Sequence, residues 1–146
     1  MSATPPVGRI HRNVNVRAGS GSGKTVLTLS GGVYALAALE LSEHSRVECS
    51  AACELRIKGR LAVAEHAYIG PAATSGLQVS AVKVIVEGTN GGNSPSSTPL
   101  AAELGAHSEL KAFVFVPNGT LWLRSNSSSN GKFIAKDLDA GNDADV

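Results

Sequence analysis

The sequence predicts an all-β chain: a single-domain parallel β-helix, or β-solenoid, with coils of about 17 to 22 residues. Three observations carry that prediction. Short apolar runs with period-2 alternation recur along the chain, which is the pattern of half-buried strands. Gly, Pro and Ser interrupt them too often for helices with caps at both ends. A polar turn between two strand-like stretches also repeats in register, and a unit of this size cannot bury its apolar side unless copies stack on one another.

Taken in order, residues 1–24 read as an extended N-terminal segment or cap, with Pro5-Pro6 and the alternating Val14-Asn15-Val16. Residues 25–146 read as the solenoid domain. Val26-Leu27-Thr28-Leu29 is its first strand. Ala35 to Leu41 has the apolar density of a helix, but it lies between Gly31-Gly32 and the first repeat copy, so a strand is expected there. Val47-Glu48-Cys49, Leu55-Arg56-Ile57, Val82 to Val86, Phe113 to Val116 and Leu121-Trp122-Leu123 come next, each alternating or uniformly apolar.

Sliding the sequence against itself aligns five copies of one unit. Leu39 to Val47 matches Leu61 to Ile69 and Ala102 to Leu110, and weaker copies start at Leu121 and Leu138. The starts differ by 22, 41, 19 and 17 residues. The interval of 41 reads as two coils, with the missing copy near Val79 to Glu87. His44, His66, His107, Asn126 and Asp143 share one position of the unit, so they are expected as a turn ladder along one corner. The tract from Thr89 to Pro99 is rich in Asn, Gly, Ser and Pro. It reads as a loop insertion at 89–99, a length that loops tolerate at small entropic cost.

The composition fits this architecture. With 42% hydrophobic and 17% charged residues, 146 residues can build one core, and with 4% aromatics that core must be aliphatic. Thirteen basic residues against twelve acidic give a net charge of +1. Such a chain has no bulk field for nucleic acid, and so few aromatics supply no stacking platform for single strands. Met1 to Pro6 lacks the basic and apolar regions of a secretory signal, and no stretch approaches the roughly 20 apolar residues of a membrane span. Membrane insertion is therefore not expected.

Phe115-Val116-Pro117-Asn118-Gly119-Thr120-Leu121-Trp122-Leu123, followed by Gly131-Lys132-Phe133-Ile134-Ala135-Lys136-Asp137-Leu138, resembles the closing coils of β-helical domains in bacterial exported and surface proteins. The repeat spacing over residues 25–146 agrees. More loosely, the chain is similar to the bactofilins, small β-helical proteins that polymerise end to end, without matching their pattern residue by residue. The resemblance implies a structural role at the cell surface or outside the cell; the cytoplasm is the alternative.

Four groups of residues suggest chemistry. Ala18-Gly19-Ser20-Gly21-Ser22-Gly23-Lys24-Thr25 ends like a phosphate-binding loop, with Ala18 where that loop has its first Gly, but the loop needs a helix after it, and Val26 to Leu29 reads as a strand. The three repeat histidines could be bases or ligands beside Glu43 and Glu65, yet their shared repeat position accounts for them as a corner ladder, and three imidazoles leave a metal site incomplete. Asp137, Asp139, Asp143 and Asp145 have oxygen ligands but no calcium-loop spacing. Cys49 and Cys53 fit neither a redox pair nor a complete zinc site; either a disulfide or two buried thiols suits them. No catalytic residue, metal or cofactor is expected.

The ends of a solenoid expose strand edges unless something covers them. Leu138, Ala140, Ala144 and Val146 are the expected assembly edge, and end-to-end self-association is the expected partnership. The function expected is thus a non-catalytic structural module, a surface spacer or a subunit assembling through its end coils into oligomers or filaments. The alternative is a binding module for carbohydrate or an ordered surface, using the Ser/Thr/Asn-rich stretch from Thr120 to Asn130.

Overall fold

The computed structural model describes residues 25–146, and for Ser2–Ala3 and Ile10–Val16 it describes the strand pairing. Twelve strands form one sheet: β1 (Ser2–Ala3), β2 (Ile10–Val16), β3 (Val26–Leu29), β4 (Gly32–Leu41), β5 (Arg46–Cys49), β6 (Cys53–Ile57), β7 (Leu61–Val63), β8 (Tyr68–Pro71), β9 (Val82–Val86), β10 (Ala102–Leu104), β11 (Glu109–Leu123) and β12 (Ser128–Ala140). All of their pairings are parallel. The chain is a parallel β-solenoid of about 5 turns. The segment from Ala35 to Leu41 is strand, as its neighbours in sequence predict.

β11 shows how a coil is built. Its residues Glu109–Leu110 pair with β8, Phe113–Phe115 with β9 and Leu121–Leu123 with β10. These three stretches define three faces, and β8, β9 and β10 are the three faces of the coil before it. That register corrects the reading of the 41-residue interval as two coils. Ala102 lies directly between Leu61 and Leu121, so no rung is missing, and Val82–Val86 is the second face of a single long coil. The added length lies in two excursions, residues 72–81 between the first and second faces and residues 87–101 between the second and third. Loop closure entropy grows only slowly with length, so a solenoid can carry both without losing register.

Alternation decides what lies inside. On the second face, Tyr34, Leu55, Val84, Val114 and Phe133 form one inward column, and the first four are buried. Tyr34 is the one polar-tipped member, and its hydroxyl donates to the Gly31 carbonyl at 2.9 Å, which removes the penalty for a buried phenol. Burying each Leu, Ile or Val of these columns is worth about 1.5–3 kcal/mol. Outward positions carry ion pairs two residues apart on one strand, Arg46 with Glu48, Arg56 with Glu54 and Lys111 with Glu109; being half-exposed, each contributes under about 1 kcal/mol. Where the second face turns into the third, a Cβ on Gly88 would lie 2.1 Å from the Gly59 carbonyl oxygen, so successive rungs stack there only because that side chain is absent.

Candidate functional site

The third face turns into the first through one repeated β-turn. Its closing hydrogen bonds run from Ser45 N to Ser42 O at 3.1 Å, Ser108 N to Gly105 O at 3.3 Å, Ser127 N to Arg124 O at 3.2 Å and Ala144 N to Gly141 O at 3.2 Å. The residue before each donor sits in the left-handed region, as does His66 on the rung between: φ is 59° at His44, 56° at His66, 55° at His107, 57° at Asn126 and 56° at Asp143. Asn, Asp and His are the non-glycine residues most often found there. The same backbone demand, met on every rung, puts these five side chains in one line.

The three imidazoles stack. His44 and His66 lie with ring centroids 5.1 Å apart and planes 6° from parallel, and His66 and His107 repeat this at 5.1 Å and 7°. The spacing is that of neighbouring strands. Glu43 and Glu65 are exposed beside the stack. Among the described residues no group of three or more His, Cys, Asp or Glu side chains is arranged to hold a metal ion.

The sequence reading missed what lies under this corner. The position after each ladder residue is Ser45, Ala67, Ser108, Ser127 or Ala144, always small, and the first four are buried. Ser108 Oγ donates to the Ala64 carbonyl at 2.8 Å and Ser127 Oγ to the Arg124 carbonyl at 2.6 Å, so the hydroxyls satisfy turn carbonyls that the ladder leaves inside. Invariant smallness at that repeat position was the available signal.

The remaining candidates fall in different places. Cys49 and Cys53 form a disulfide across the corner between β5 and β6, with Cα atoms 6.3 Å apart. Asp137 and Asp139 lie on β12, Asp143 is in a turn, and Asp145 bridges to Ser128 through the backbone. Residues 18–24 of the phosphate-loop candidate lie outside the described residues, and Thr25 leads directly into the strand β3. The stretch from Thr120 to Asn130 does not form one outward face. Thr120 is 1% exposed and Ser127 and Ser129 are also buried. Thr120 donates its hydroxyl to the Pro95 carbonyl at 2.6 Å, and Asn90 Nδ2 donates to Thr120 Oγ1 at 2.9 Å. Asn90 Oδ1 in turn accepts from the backbone N–H groups of Ala101 and Thr120 at 3.1 and 3.0 Å. Together they clamp the base of the 87–101 excursion to β11.

The 72–81 excursion walls a cleft of about 370 Å³ on the first face, lined by Arg46, Tyr68, Leu77, Val79, Lys111 and Asn130. The Arg46 guanidinium lies 4.1 Å from the centre of the Tyr68 ring, and the phenol donates to the Pro71 carbonyl at 2.7 Å. Burial pushes the Tyr68 phenol above its ordinary value, while nearby Lys111 works against that rise. A hydrogen bond to Glu109 raises Lys111 in turn. Both cations already hold carboxylate partners, Glu48 and Glu109, so the cleft has no unpaired charge to offer an ion.

At the last coil, register and burial part company. Leu39, Leu61, Ala102, Leu121 and Leu138 form one inward column on the third face. Their exposures are 0%, 2%, 0%, 1% and 53%. Ala140, next on the same strand, is exposed, Val146 is 60% exposed, and Ala144 packs partly against the core. Among the described residues, the Ser128–Asp145 bridge is the one pairing on the far side of β12.

No family model, no curated protein and no solved structure matches this chain.

Proposed function

We propose that the chain is a non-catalytic structural β-solenoid module, a spacer or a subunit that assembles through its end coils into oligomers or filaments. The observation that carries the reading is Leu138, a leucine in a core register position that is 53% exposed on the last described rung. Covering Leu138 and Ala140 with another coil would recover burial of the kind every earlier rung has, and an unpaired parallel edge offers backbone groups to the same partner. A head-to-tail contact would continue the stack and a two-fold contact would close a dimer. The head-to-tail form would be a filament subunit of the bactofilin type. The Cys49–Cys53 disulfide supports an oxidising setting, at the cell surface or outside the cell, since such bonds persist there and not in reducing cytosol.

The test is particle mass against concentration by light scattering, with negative-stain imaging. The expected result is oligomers that grow with concentration and disappear in Leu138→Lys, while Asp139→Lys on the outward side of the same strand retains them. A wild-type chain that stays monomeric at high concentration overturns assembly through the end coils.

A further inference from the structure

The second face carries an apolar patch on its outer side, pointing away from the core, whose last row lies on β12 beside the end contact proposed above. Two neighbouring outward columns build it. Lys83, Phe113 and Lys132 stack on consecutive rungs, as do Ile85, Phe115 and Ile134. Phe113 is 37% exposed, Phe115 42% and Ile134 48%. The chain has 3 phenylalanines, and two of them stand in water here. Apolar side chains grouped this way on a flat sheet mark a contact surface.

The charges around the patch say what kind. Lys83 and Lys132 flank Phe113 above and below, and Lys136 is exposed two residues beyond Ile134. Glu87, two residues beyond Ile85, is the exposed acid at the rim, and Arg56 on the rung below is paired with Glu54. Four cations, Lys83, Lys132, Lys136 and Arg56, against two anions, Glu54 and Glu87, therefore surround four apolar side chains, in a molecule whose total charge is only +1. We infer that this face docks on an anionic lipid surface, the Phe and Ile side chains entering the headgroup boundary and the lysines meeting lipid phosphates. An apolar centre inside a lysine rim suits that boundary, because long lysine stems reach the charged layer while the centre sits in the acyl region. The contact is peripheral and involves no spanning segment.

The experiment is sedimentation of the full chain with phosphatidylcholine vesicles with and without roughly one-third phosphatidylglycerol, at low and high salt. Binding is expected to the anionic vesicles only and to fall with added salt. Lys132→Glu with Lys136→Glu should lower the partition coefficient on the order of a hundredfold, and Phe115→Ser by roughly tenfold. All of these side chains face outward, and unchanged circular dichroism will show that each variant folds. Absence of binding to either vesicle, or binding that the folded variants leave unaltered, overturns the inference. So does an oligomer that dissociates in Phe115→Ser while vesicles bind nothing, which would make the patch a protein interface. Leu138→Lys should leave vesicle binding in place, separating this surface from the end contact.

Discussion

Leu121 and Leu138 occupy the same column of the same face on adjacent rungs, yet one is 1% exposed and the other 53%. Nothing in their own strands separates them, since both lie on parallel strands with inward registers. What separates them is the next coil. In a globular domain a leucine is buried by elements from several directions; in a solenoid it is buried chiefly by the rung above and the rung below, so stability is close to a sum of nearest-neighbour terms. The interior of the stack is therefore uniform, and the burial of each rung depends on the rungs beside it.

The comparison breaks most readily at the leucines themselves. Leu121→Ala removes a fully covered side chain and should destabilise by about 3 kcal/mol, whereas Leu138→Ala should lower stability by less than about 1 kcal/mol. Urea unfolding at a concentration where the chain is monomeric measures both. Equal losses would mean that something covers the last coil in solution.

A second contrast lies at the corner between the first and second faces, closed by Cys49–Cys53 in one coil and by Ser129-Asn130-Gly131 in the last. Replacing both cysteines with Ala, or reducing them, should lower stability by about 2 kcal/mol if the cross-link acts by restricting the unfolded chain. A change well below that would assign the corner's rigidity to strand pairing instead.

The ladder corner gives a third, smaller effect. His66 has φ of 56°, so His66→Ala places an ordinary side chain in the left-handed region and should destabilise by about 1 kcal/mol relative to His66→Gly. If Ala and Gly are equivalent, the left-handed backbone at position 66 does not by itself select the residue there.

These contrasts also show why some of the molecule was legible in sequence and some was not. The ladder was visible because a left-handed turn position accepts few residue types, so the backbone demand is written as His, His, His, Asn and Asp at a common position. The strands were visible because inward positions must be aliphatic. The single 41-residue coil was hidden, because an excursion at a corner and an extra rung lengthen the chain alike, and only the register of Ala102 between Leu61 and Leu121 tells them apart. The clamp of Asn90 on Thr120 was hidden too: both residues sit in stretches that look like loop or polar face, and their hydrogen bonds span 30 residues. The outer patch escaped notice because Phe113-Val114-Phe115-Val116 is apolar at every position, and an unbroken apolar run cannot reveal which half faces water.

The weakest and most specific effect concerns alkaline pH. Tyr68 lies on a middle rung with its phenol buried and bonded to the Pro71 carbonyl, and burial raises it above the ordinary value of 10.0. A group whose folded value exceeds its unfolded one binds its proton more tightly in the native state. Its contribution is then fully present below about pH 10 and declines as pH rises through the folded value. Lys111, raised from 10.5 chiefly by its hydrogen bond to Glu109, acts in the same direction, but its exposure to solvent screens the effect. Tyr68→Phe keeps the ring under Arg46 and removes the proton. The variant should be slightly less stable at neutral pH, by about 1 kcal/mol for the lost hydrogen bond, and should lose less of its stability than the wild type on going above pH 10. Urea midpoints measured on either side of that pH decide it. Parallel declines in the two proteins would place the alkaline sensitivity on Lys111 and its pair with Glu109.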